Sequence, residues 1–300
     1  MNDECFATLI AGPTASGKSA LAIRLAKACD GIVVNADSMQ VYADLTILSA
    51  RPTQEEQGRV PHHLFGFVSA DEEYSVGRFV DDVASLIENA RQVGRKIVLV
   101  GGTGLYFRAL VEGLVPTPAI PDSIRAEWLG RAHAGHDLHA ELMRRDPVRA
   151  AQLHSADTPR LLRAIELHAA SGKPYSQWLS ENPGTPLLKP GEWRGIFLNP
   201  QREVLRERID RRFLLMMEQG ALEEVEALMQ RVPPLFPNRG VMKAHGVPHL
   251  AAYLRGQISR EEAIARGQTD TRAYARRQVI FARKYLPDTV WNWSENAGEA

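Results

Sequence analysis

The segment Gly12-Pro13-Thr14-Ala15-Ser16-Gly17-Lys18-Ser19 has the spacing GxxxxGK[ST], an arrangement that wraps backbone amides around an anion. Glycines let consecutive N–H groups point at one centre, and a helix opening near Lys18 adds its positive end. Lys18 supplies a full charge, and the Ser19 hydroxyl can ligate Mg²⁺. An apolar run precedes the segment and a helical pattern follows it, the setting such a loop requires. The chemistry is that of phosphate or diphosphate groups. The spacing does not distinguish a nucleoside triphosphate from another diphosphate.

Two more segments end apolar runs and belong at the same edge of a sheet. In Asn35-Ala36-Asp37-Ser38-Met39-Gln40-Val41-Tyr42, Asp37 can be a metal ligand, as in nucleotide kinases, or a general base. Its plainer role is to cap the next helix. Gly101-Gly102-Thr103-Gly104 suits a ligand loop, but a strand-to-helix turn needs glycine in any case. Arg208 and Arg212, four apart, share a helix face, and either clamp a second phosphate or pair with Glu207 and its neighbours. His62-His63 has no third or fourth ligand at metal-site spacing, so it reads as a hydrogen-bonded loop.

From Arg239 to Tyr285 there are ten Lys/Arg against three acidic residues, a local excess of +7 in a chain whose formal net charge is zero. If Thr271–Tyr285 is helical, Arg272, Arg276 and Arg283 form one stripe, with Val279, Ile280 and Phe281 toward the core. Such a stripe, interleaved with Tyr274 and Tyr285, suits a phosphate backbone and stacked bases. It equally suits a solvated helix face.

Elements that must position these residues alternate along the chain. Phe6–Ala11, Ile32–Asn35, Lys96–Val100, Gly195–Leu198 and Thr289–Trp291 are short runs rich in Val and Ile, as in strands buried on both faces of a parallel sheet. Helical patterns lie between them at Lys18–Cys29, Val76–Val93 and Gln201–Gln230. The expected fold class is α/β, a P-loop-containing parallel sheet with helices on both faces. Residues from about 116 to 190, bordered by Pro116, Pro118 and Pro121 and by Pro183, Pro186 and Pro190, hold only helical patterns. They read as an all-helical insertion, about 119–190, between core segments 1–118 and 191–300. From Ser294 onward the chain is expected to fray.

At 44% hydrophobic and 24% charged residues, the composition argues against disorder. No apolar run approaches membrane-spanning length. Met1–Cys5 lacks the basic start of a secretory signal, and two cysteines, Cys5 and Cys29, build neither a disulfide framework nor a zinc site. A reducing, cytoplasmic setting is expected.

In this order the motifs resemble those of the tRNA dimethylallyltransferases, also called tRNA isopentenyl transferases. The likeness includes Gly12–Ser19, Asn35–Tyr42, Pro61-His62-His63-Leu64, Gly101–Tyr106 and Arg160–Glu166. It continues through Arg208–Arg212, Met242–Gly246 and Tyr274–Gln278. It implies transfer of a dimethylallyl group from dimethylallyl diphosphate to N6 of adenine 37, 3′ of the anticodon, in tRNAs reading codons that start with U. Gly12, Pro13, Thr14, Ala15, Ser16, Gly17, Lys18 and Ser19 would then hold the diphosphate, with Arg208, and no ATP is consumed. Catalysis would fall to Asp37, Thr14 and Arg212, with Mg²⁺ at Ser19.

The resemblance further implies that the anticodon stem-loop is bound through Asp37, Ser38, Met39, Gln40, Thr103, Arg125, Pro159, Arg160, Leu161, Leu162 and Arg163. Arg276 and Arg283 of the basic stripe join them. A monomer of bacterial type, without a zinc-finger extension, is implied. Residue 159 is Pro where such proteins usually carry Gln, which removes a hydrogen-bonding side chain there, and Val279-Ile280-Phe281 stands where a Thr-Trp pair is common.

Overall fold

The structure, a computed structural model, describes residues 5–58, 60–235 and 239–298; Met1–Glu4, read above for a secretory start, lie outside them. Its strands are β1 (Ala7–Ala11), β2 (Ile32–Asn35), β3 (His62–His63), β4 (Ile97–Gly101), β5 (Trp193–Leu198) and β6 (Trp291–Ser294). They form one parallel sheet in the order β3-β2-β4-β1-β5-β6. The helices are α1 (Lys18–Ala28), α2 (Gln54–Gln57), α3 (Val76–Gln92), α4 (Gly104–Glu112), α5 (Asp122–His133), α6 (Leu138–Arg145) and α7 (Pro147–Ala150). They continue with α8 (Thr158–Ser171), α9 (Tyr175–Glu181), α10 (Arg202–Glu218), α11 (Ala221–Met229), α12 (Val247–Leu254) and α13 (Arg260–Tyr285).

Every residue of β1, β2 and β4 is buried, because successive side chains point to opposite faces and both faces are covered. Leu9, Val34 and Leu99 pack with Phe79 and Val83 of α3 and Phe107 of α4. Their neighbours Ile10, Val33 and Val98 pack with Leu21, Ala22 and Ala26 of α1. This is the α/β architecture read from the sequence.

Four local expectations are corrected. The helix expected over Gln201–Gln230 is two helices, because Gly220 between them takes φ 103°, a conformation that side chains disfavour. His62-His63 is an edge strand paired with Val33 and Val34, too short to show a period. The last strand begins at Trp291, buried, after Val290, which is 58% exposed. Within the described residues the chain does not fray from Ser294, which pairs with Leu198 and is buried; Ala297 packs beside the α1 face of the sheet and its carbonyl accepts from Arg24, and Glu299 and Ala300 of that expectation lie outside the described residues.

The chain forms two compact units, Met1–Val111 with Leu187–Ala300, and Glu112–Pro186. The all-helical unit thus starts and ends a few residues earlier than the prolines suggest. Its core gathers Trp128, Leu138, Leu142, Leu161 and Ile165. In the sheet unit the N–H groups of Leu187 and Leu188 donate to the Leu110 carbonyl at 2.9 and 3.1 Å. In the helical unit Leu114 bridges Thr185. Among the described residues no helix is long and apolar enough to cross a membrane.

Candidate active site

Strands β2, β4 and β1 are consecutive in the sheet, so the segments leaving their carboxyl ends share one edge, the usual ligand edge of an open parallel sheet. Gly101 lets two of these segments touch: a Cβ there would lie 2.0 Å from the Ala36 carbonyl oxygen. The Ser38 amide donates to Thr103 Oγ1 at 3.0 Å, and the Thr103 hydroxyl donates to Ser38 Oγ at 3.3 Å. These contacts bind the Asp37 and Thr103 loops together.

The first loop has the form of an anion cradle. No side chain caps α1, so its opening amides are left for a ligand. Ser16 Oγ is buried without a hydrogen-bond partner. Lys18 Nζ donates to the Pro13 carbonyl at 2.7 Å. Burial chiefly, with nearby Arg212, lowers the Lys18 ammonium to about 8, while Asp37 opposes the shift. One expectation changes. The Thr14 amide is already committed within the protein, donating to Gln278 Oε1 at 2.9 Å.

A depressed lysine should recharge when an anion arrives. Titrating the protein with inorganic diphosphate near pH 8.5, in buffers of different ionisation enthalpy, should show more proton uptake for the wild type than for Lys18→Met. Equal uptake would contradict the assignment. Affinity attributable to Lys18 should be full below about pH 8 and fall as pH rises beyond it.

The loop opens into a cavity of about 910 Å³ lined by Lys18, Ser19, Asp37, Arg208, Arg212 and Tyr274, among others. Arg208 and Arg212 share a face of α10, as their spacing required. Burial holds the Arg212 guanidinium below its usual range, with Glu56 and Asp37 opposing; a guanidinium stays charged nonetheless. Another stretch of wall is apolar, built by Leu48, Ile209, Phe213 and Met216. The cavity therefore offers cations and hydrocarbon together.

Asp37 is held by its neighbours. Asn35 Oδ1 accepts the Asp37 amide at 2.9 Å, and Asn35 Nδ2 donates to the Asp37 carbonyl at 2.9 Å. Asp37 Oδ1 accepts the Met39 amide at 2.9 Å. No helix follows before Gln54, which removes the capping role. The His245 and Tyr274 rings pack with centroids 4.3 Å apart, tilted by 35°, and both line the cavity. Burial keeps the His245 imidazole below its usual range and raises the Tyr274 phenol.

Other expected contacts divide. Met39 is half-buried; Gln40 Nε2 donates to the Ser49 and Ala50 carbonyls at 3.0 and 3.1 Å, which stiffens the cavity wall. On α13, Arg276 and Arg283 are exposed, but Arg272 is paired with Asp210 and leaves the stripe. Ile280 is 55% exposed rather than core, because three consecutive residues of a helix cannot face one way; Ala275, Gln278 and Ala282 are the buried set. In the helical unit Arg125 and Arg160 are exposed, and Arg160 lies 3.2 Å from Asp157. Arg163 donates to Thr117 Oγ1 at 2.9 Å, and Leu162 is half-buried.

Leu161 is fully buried in the helical core, so its side chain is corrected from an RNA contact to a packing residue. Pro159 is exposed in the first turn of α8, where its missing N–H costs nothing. His62 Nδ1 lies 2.8 Å from the Val60 carbonyl. Among the described residues no three His, Cys, Asp or Glu side chains form a metal cluster. His245 and the contact role of Gln278 went unread. The one available signal was that Tyr274 and Gln278, polar and four apart, share a face with Ala275 and Ala282.

With this geometry in place, the comparisons are specific. The sequence model described as IPP transferase matches residues 40–285, and the one described as isopentenyl transferase matches 6–62. The chain is similar to a tRNA dimethylallyltransferase of Methylocella silvestris, 53% identical over 288 residues, covering 95% of this chain and 94% of the relative. It is 52% identical over 295 residues to that of Beijerinckia indica subsp. indica, covering 97% and 96%. The solved tRNA isopentenylpyrophosphate transferase of Bacillus halodurans matches with TM-score 0.69 and 32% identity, covering 97% and 90%. A eukaryotic dimethylallyltransferase solved acting on tRNA matches with TM-score 0.83 and 30% identity, covering 97% and 73%.

Proposed function

The chain belongs to the tRNA dimethylallyltransferase family, and on that premise we propose that it transfers a dimethylallyl group from dimethylallyl diphosphate to N6 of adenine 37 in tRNAs reading codons that start with U, releasing diphosphate. The observation that carries this reading is the cavity itself. It combines a lysine- and arginine-lined anion cradle, an apolar wall of hydrocarbon size and a fixed carboxylate.

In the reaction, the N6 lone pair forms a bond to the allylic carbon as the C–O bond to the diphosphate breaks. Negative charge grows on the leaving oxygen, where Lys18, Arg212 and the free loop amides stabilise it, with Arg208 at the outer phosphate. Thr14 lies in the same wall. Asp37 accepts a hydrogen bond from the adenine amine and takes its proton. An adenine amine is a poor nucleophile, so the orientation of that carboxylate matters. The adenine reaches the cavity flipped from its stack, at a cost of a few kcal/mol.

A magnesium ion fits as a partner of the diphosphate. The Ser19 hydroxyl would hold it from the loop, and the rest of its oxygen shell would come from substrate and water, as Mg²⁺ prefers. When bound, it neutralises part of the diphosphate charge. The helical unit, through Arg125, Arg160 and Arg163, and the outer face of α13 are the proposed seats of the anticodon arm. The enzyme is proposed to act as a monomer in the cytoplasm.

Incubation with labelled dimethylallyl diphosphate and either tRNA or AMP tests the reading. Label is expected in tRNA, and label in AMP alone overturns it. Arg276→Ala should weaken tRNA binding and reduce the slope of log affinity against log salt by about one, with turnover at saturation nearly unchanged. Slowed turnover with an intact salt slope would move Arg276 out of the RNA-binding set.

A further inference from the structure

Gln278 is a buried polar residue on the inner face of α13, and its side-chain amide bonds to Thr14, Gly102 and the Tyr274 side chain. Nε2 donates to the Gly102 carbonyl at 2.9 Å, and Oε1 accepts from the Thr14 amide at 2.9 Å. The partners fix the orientation, since a carbonyl can only accept and an N–H can only donate. Gly102 is shaped to this contact: a Cβ there would fall 2.1 Å from Gln278 Nε2 and 3.1 Å from Asp37 Oδ2. One side chain from the far end of the sequence therefore joins the diphosphate loop to the loop beside the base.

We propose that Gln278 is a positioning residue for the transfer. It sets the spacing between the leaving-group cradle and Asp37, and touches neither reactant. By accepting from the Thr14 amide, it commits that N–H to the protein and leaves the remaining loop amides to the diphosphate. Its bond to Gly102 holds the segment against which Asp37 rests. In a displacement, the leaving oxygen and the carboxylate lie on opposite sides of the reacting carbon, and small misplacement is costly. Without the clamp, ground-state binding of each substrate survives, but the near-attack alignment does not.

The proposal rests on the prenyl-transfer reading, and the test separates the two. Gln278→Met keeps the length and removes the bonds to Thr14 and Gly102, together with the one to Tyr274. It should lower kcat by about 10-fold or more, with KM for tRNA and for dimethylallyl diphosphate within about 3-fold of wild type. Gln278→Glu adds a readout that a purely structural role would not move. As a carboxylate it cannot donate to Gly102, whereas as a neutral acid it restores both bonds. Its kcat deficit relative to wild type should be large near pH 8.5 and shrink several-fold near pH 6.

A Gln278→Met enzyme with wild-type kcat, or a Gln278→Glu deficit of equal size at both pH values, would overturn the proposal. So would a loss expressed wholly as raised KM. If Gln278→Met fails to fold, the Gln278→Glu comparison decides alone, and a wild-type rate near pH 8.5 then counts against the clamp. Absence of transfer by the wild-type chain would instead sink the reading on which the proposal rests.

Discussion

Replacing Asp37 by alanine is expected to slow prenyl transfer by at least about 10²-fold, the usual scale for a lost general base, while tRNA binding stays close to wild type. The carboxylate also has a structural task, because Oδ1 accepts the Met39 amide. Asp37→Asn separates the two, since an asparagine keeps an acceptor for that amide but has no basicity. Both variants should show the same loss in single-turnover rate at saturating tRNA. An asparagine enzyme near wild-type rate would reduce Asp37 to a turn-forming residue. Asn35 should not compensate, because its side chain is committed to the Asp37 backbone and the Leu64 carbonyl.

Lys18→Ala should cost about 10²–10³-fold in kcat/KM for dimethylallyl diphosphate, the range found when one preorganised donor to a developing anion is removed. Lys18→Arg is not expected to restore the rate, because a forked guanidinium does not fit where a point charge meets the Pro13 carbonyl at 2.7 Å. The fold should not suffer. A buried ammonium held at about 8, below its ordinary 10.5, binds its proton less tightly in the empty folded protein than in the unfolded chain. Its contribution to stability therefore rises with pH between those values. Removing it should leave Tm unchanged or higher, the pattern of a site that trades stability for function. A marked fall in Tm together with a small kinetic loss would make Lys18 a structural residue.

The sheet and cradle were legible because their signals are local. Buried parallel strands read as continuous apolar runs, and the loop 12–19 is defined by fixed spacing. Glycine and proline marked the borders of the helical unit to within a few residues. What escaped depends on contacts far apart in sequence. His62-His63 is a strand only because Val33 and Val34 lie beside it, and Arg272 leaves the basic stripe because Asp210 meets it from another helix. Leu161 and Leu162 are adjacent and alike in sequence, yet only Leu161 is fully buried in the helical core. The Gln278 contacts span 264 and 176 positions, beyond any periodicity. The resemblance to a family gave Asp37 and Arg212 sharper roles than their neighbours in the sequence could.

The chain leaves the sheet unit at Leu110 and returns at Leu187 and Leu188, which bond to the Leu110 carbonyl, and no residue lining the cavity falls between 112 and 186. The intervening stretch is thus built as a cassette. Its two seams are already stitched side by side, so lengthening, trimming or exchanging it alters chain-closure entropy only slowly and spares the alkylation machinery.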